Sequence, residues 1–63
     1  MSKQASQKQI DFIISLWNQV NDGSASYLSQ TDLPLTQREK RGGMFSHEAS
    51  RYIDQLKREL ANS

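Results

Sequence analysis

A chain of 63 residues has room for one domain, residues 1–63, and a domain this small buries only about 60% of the surface its unfolded chain exposes. It holds no cysteine, which excludes a disulfide framework and a thiolate metal site, so packed helices, self-association or a partner must supply its stability. Eight basic against seven acidic side chains leave a net charge of +1, too little for the whole-molecule field to draw the protein onto nucleic acid.

The opening segment MSKQASQKQ has no apolar stretch, and no run approaches the roughly 20 apolar residues of a membrane span. A cytoplasmic protein without a membrane partner is expected, with residues 1–5 flexible. The first helix follows, over about 7–20. Ser6 suits its N-cap, and Gln9 three residues on completes a capping-box pattern. Ile10, Ile13, Ile14 and Trp17 recur at helical spacing, and Phe12, Leu16 and Val20 add a second row. The helix should end in Asn21-Asp22-Gly23, with the glycine in the left-handed conformation. Its β-branched residues are poor helix formers, so packing must stabilise it.

Residues 21–45 are long for a helix–helix connection, which usually takes about 2–8 residues. They should hold structure of their own. Thr36-Gln37-Arg38-Glu39 is a second capping-box pattern, with Pro34 outside it and Gly42-Gly43 to end it. A short helical turn near 37–41 is expected, after a Ser-rich loop anchored by Tyr27 and Leu28.

The last helix is expected over about 47–61. Ser46 is the N-cap candidate, Glu48 lies in the first turn and Lys57 and Arg58 in the last, as the helix dipole favours. Glu48 with Arg51, and Asp54 with Lys57 or Arg58, stand at ion-pair spacing. Ala49, Tyr52, Ile53, Leu56 and Leu60 make one stripe of roughly 100°, an ordinary one-sided face. The first helix spreads its apolar residues over roughly 200°, more than one partner helix covers. The middle segment or a second copy of the chain must bury the remainder. The fold expected is all-α: an antiparallel helix pair joined by a long loop with one short helical turn.

Little in the chain suits catalysis. The single histidine, His47, follows Ser46 directly, and adjacent residues at a helix start point apart, so they make no nucleophile–base pair. His47, Glu48 and Arg51 are not a metal set, and no phosphate-loop or dinucleotide motif, hence no cofactor, is legible. A non-enzymatic binding module is the expectation.

Two surfaces are candidates. Residues 36–45 carry a charge of +2, from Arg38, Lys40 and Arg41 against Glu39, the one compact basic element of the chain. Arg51 lies one turn into the last helix, whose free amides suit phosphate. Arg38, Lys40, Arg41 and Arg51 are therefore candidate nucleic-acid contacts, against the plain alternative of a solvated basic turn. Phe12 and Leu16, at the edge of the wide arc, and Phe45 are candidate contacts for a host or phage protein, or for a homodimer seam. Trp17 could stack on a base, but its place among Ile10, Ile13 and Ile14 reads as core.

The segments SQKQIDFIISLW and FSHEASRYIDQLK together resemble a small two-helix module of bacterial and phage proteins, T-x-K-Q-x-x-F-I-x-x-L followed by L-T-K-x-E-A-S-x-x-I-D-x-L. The matching positions are Ser6, Lys8, Gln9, Phe12, Ile13 and Leu16, then Ser46, Glu48, Ala49, Ser50, Ile53, Asp54 and Leu56. That module occurs alone or as a tail on phage recombination and nuclease proteins, so the resemblance implies a DNA-metabolism setting. Most matches are caps and core positions, with Ala49 small for close helix packing. Ser50 and Asp54, one turn apart, are expected to bind the backbone of the loop. The loop itself departs from the pattern by its length, and Phe45 by its identity.

Overall fold

The computed structural model describes residues 3–62. Its first helix, α1 (Gln7–Asn21), begins as the sequence predicts. The Gln9 N–H donates to the Ser6 hydroxyl at 3.2 Å, and the Ser6 N–H donates to the Gln9 side-chain oxygen at 2.9 Å. The end differs in detail. Asp22, not Gly23, takes the left-handed conformation (φ 52°, ψ 42°), which aspartate tolerates because its short polar side chain bonds locally. Gly23 is needed for room instead: a Cβ there would stand 2.6 Å from Cζ3 of Trp17.

The connection carries a 3-10 turn (Leu28–Gln30) and a short helix, α2 (Gln37–Lys40). Asn18 ties the loop back to α1, donating to the Ala25 carbonyl at 3.0 Å and accepting from the Ala25 N–H at 2.9 Å. Leu28 is buried and anchors the turn. Tyr27 does not; it is 68% exposed. The predicted capping box opens α2, with Thr36 and Glu39 bonding each other's N–H groups at 2.9 and 3.2 Å.

The last helix, α3 (Ser46–Ala61), starts one residue earlier than expected. Phe45 holds the N-cap position and Ser46 is the first helical residue. The Ser46 N–H donates to the Lys3 carbonyl at 2.7 Å, and the Phe45 N–H to Glu48 Oε1 at 2.9 Å. The Ala49 N–H, which a Ser46 cap would have served, donates to the Phe45 carbonyl at 3.0 Å. Gln4 and Phe45 pair as an isolated antiparallel bridge, with Ala5 N–H donating to the Met44 carbonyl at 2.8 Å. Of the five residues expected to be flexible, 3–5 thus make main-chain bonds to residues 44–46; Met1 and Ser2 lie outside the described residues.

Two long helices packed on each other are present, but they run in the same direction. Lys3 and Gln9, at the start of α1, meet Ser46, at the start of α3. Trp17 and Asn21, near the end of α1, share a depression with Leu56 and Glu59, near the end of α3. The expected antiparallel arrangement is the outcome of a short link. Here residues 22–45 are long enough to travel back along α1, a helix of roughly 22 Å, before α3 begins.

That return path also covers the wide apolar arc. Ile13, Ile14 and Leu16 of α1, Ala49 and Leu56 of α3, and Leu28 and Met44 of the connection form the core, with Leu33 and Leu35 packed against it. The Ile14 edge is closed by the loop, and Leu16 is only 4% exposed, which removes it from the candidate partner surface. Ala49 is fully buried, as close helix packing requires. No helix among the described residues is long and apolar enough to cross a membrane.

Candidate functional site

The basic run is organised by its two glycines. The Gly43 N–H donates to the Arg38 carbonyl at 2.9 Å and the Gly42 N–H to the Glu39 carbonyl at 3.1 Å, the paired bonds of a Schellman end. Gly42 supplies the positive φ of 89°, which an L side chain strains to adopt. Gly43 supplies clearance, because a Cβ there would meet Arg38 Cγ at 2.8 Å and its carbonyl oxygen at 2.9 Å.

This end divides the cations. Arg38 turns inward along the connection. It donates to the Gly43 carbonyl at 2.7 Å and to both Glu48 carboxylate oxygens at 3.3 Å, and its guanidinium lies 4.4 Å over the Phe45 ring. Phe45 in turn stacks on His47, with ring centroids 5.9 Å apart. Arg38 is therefore a brace between α2 and α3, and Phe45, half-buried beneath it, is not the open edge that the sequence suggested. The Phe45 N–H above all, with Arg38 adding to it, holds the Glu48 carboxyl below its usual range, against the opposing effect of desolvation. Glu48 also closes the start of α3 to phosphate, since its negative charge occupies the position an anion would take.

Arg51 stands elsewhere. It lines a depression with Glu39, Glu48 and Tyr52, and so faces acids rather than joining the other cations. Burial raises the Tyr52 hydroxyl above its ordinary pKa, as do the charges of Glu39 and Glu48; that hydroxyl donates to the Pro34 carbonyl at 3.4 Å. The expected Glu48–Arg51 pair is replaced by Glu48–Arg38. Asp54 forms no ion pair with Lys57 or Arg58 among the described residues; its carbonyl accepts from Arg58 Nε. Ser50 and Asp54 are both exposed and do not hold the loop; Asn18 does.

Lys40 and Arg41 remain. Both are exposed, and neither side chain has a hydrogen bond or ion pair among the described residues. They stand at the rim of an open depression of about 400 Å³, whose other walls include Ile10, Asp11, Ile14, Tyr27 and Leu28. Tyr27 is the residue that sequence reasoning misplaced. Its neighbours Ala25 and Leu28 are pinned, and that fixes the backbone while leaving the ring outside. On the far side of α1, Phe12 is 41% exposed, with the Lys57 ammonium 5.5 Å from its ring centroid. Trp17 is half-buried and donates from Nε1 to Asp32 at 2.8 Å, in keeping with its core reading.

Among the described residues no three or more His, Cys, Asp or Glu side chains gather as metal ligands. No family model, curated protein or solved structure matches this chain.

Proposed function

We propose that this protein is a non-enzymatic binding module that contacts nucleic-acid phosphates through Lys40 and Arg41, in the cytoplasm and in the phage or bacterial DNA-metabolism setting that the sequence resemblance implies. The carrying observation is the freedom of these two cations. They are adjacent, exposed and without an acidic partner among the described residues, whereas Arg38 is engaged by Gly43, Glu48 and Phe45. Two phosphate contacts correspond to a salt slope of about −1.4 on a single strand or −1.8 on B-DNA.

Fluorescence anisotropy of labelled oligonucleotides at two salt concentrations tests this. Saturable binding that weakens with salt, and is lost in the Lys40→Ala/Arg41→Ala double variant at unchanged helical circular dichroism, is the expected result. A folded protein that ignores oligonucleotides at low salt removes the reading.

A second reading rests on Phe12. A large apolar ring 41% exposed suits a protein partner or a second copy of the chain, and the surface is narrower than the sequence implied because Leu16 and Phe45 have left it. Melting temperatures that rise with protein concentration would mark the second copy.

A further inference from the structure

Among four surface depressions of the described residues, three have an acidic or balanced lining. One sets Glu39 and Glu48 against Arg51, one sets Asp54 and Glu59 against Arg51 and Arg58, and one holds Asp32 and Glu59 without a cation. The depression between α1, the 3-10 turn and the end of α2 differs. It holds two cations, Lys40 and Arg41, against one acid, Asp11, and that acid already accepts a hydrogen bond from Gln7 Nε2 at 2.9 Å. It also carries the most exposed large apolar side chain of the described residues, Tyr27.

The Tyr27 ring is exposed on a backbone that is held. Gln30 N–H donates to the Tyr27 carbonyl at 3.0 Å, and the Tyr27 N–H donates to the Gln30 side-chain oxygen at 3.1 Å. Ala25 is fixed by Asn18 on one side and Leu28 is buried on the other. Such a ring is a preorganised platform, and little backbone freedom is lost when something lies on it.

We infer that this depression takes a single-stranded nucleic acid, with an unpaired base stacked on Tyr27 and the neighbouring phosphates on Lys40 and Arg41. The inference rests on the phosphate reading above and adds strandedness and the stacking residue. A base inside a duplex has both faces covered by its neighbours and cannot reach the ring; an unstacked base can. Two phosphate contacts alone give weak binding, and stacking on an aromatic is tolerant of sequence because every base has a π-face.

The test compares a labelled single-stranded ten-mer with the corresponding duplex, using the full chain and its Tyr27→Ala, Tyr27→Phe and Lys40→Ala/Arg41→Ala variants at low salt. Preference for the single strand is expected. Tyr27→Ala should weaken single-strand binding roughly 5- to 150-fold, while Tyr27→Phe keeps affinity within about twofold because the ring remains. Equal binding of both strands with Tyr27→Ala unchanged would overturn the stacking inference and leave the phosphate reading standing. Binding of neither strand, by protein whose circular dichroism shows it folded, overturns both. Capture of a labelled acidic peptide in place of oligonucleotides does so too, assigning the depression to a protein partner.

Discussion

The two flanks of α2 belong to the same basic run and have opposite fates. Toward α3, the Arg38 side chain meets a carbonyl, a carboxylate and an aromatic face, and Glu48 and Phe45 complete one another's bonding. Toward α1, Lys40 and Arg41 meet no charge partner among the described residues, and Tyr27 stands uncovered. A cluster of like charges in a sequence is therefore not one surface. Two glycines that turn the chain are enough to send one arginine into the framework and leave its neighbours outside.

Substitutions on the framework flank should have the largest effects on stability. Met44 is fully buried beside the Schellman end, and Met44→Ala should cost about 2–5 kcal/mol, enough to unfold much of so small a domain; a urea titration followed by circular dichroism would record it. Gly42→Ala should cost about 1–2 kcal/mol, for the positive φ alone, and the same titration reads it. If both were neutral, the connection would not be part of the core.

Arg38→Ala should lower stability by about 1 kcal/mol, since its contacts are partly exposed and a solvent-facing ion pair contributes little. The pH dependence sharpens this. The Glu48 carboxyl is held low in the folded chain, so its contribution is present above the ordinary carboxylate range and is lost as pH falls through its folded value. Glu48→Gln should flatten the acid limb of a thermal-melting series, and Arg38→Ala should flatten it in part. Lys40→Ala with Arg41→Ala should change stability least, within about 0.5 kcal/mol. A melting shift comparable to that of Arg38→Ala would show that the outer flank is framework as well.

Helix starts and core stripes were legible because they depend on spacing alone: the Ser6–Gln9 and Thr36–Glu39 boxes, and the burial of Ile13, Ala49 and Leu56, stand where the pattern put them. The start of α3 was misread because the Lys3 carbonyl, distant in sequence, satisfies the amide at Ser46. Helix direction was misread because hydrophobic periodicity is the same for a parallel and an antiparallel neighbour. The length of residues 22–45 was the available signal, since a link far longer than a turn permits a return. Four cations read as one group were divided for a similar reason: a run of letters does not show which side chains find acids. Tyr27 and Leu28 both read as anchors, and only packing separates the buried one from the exposed one.

The shared direction of α1 and α3 has a kinetic consequence. The pair that forms most of the core cannot meet until residues 22–45 have closed into a loop. Relative to a hairpin turn of about four residues, closing that loop costs roughly 1.6 kcal/mol more. The higher contact order burdens the folding step, because closure must precede the contacts that reward it. At equal stability the ratio of the folding and unfolding rates is fixed, so the domain should fold more slowly than an antiparallel helical hairpin, and by the same factor open more slowly.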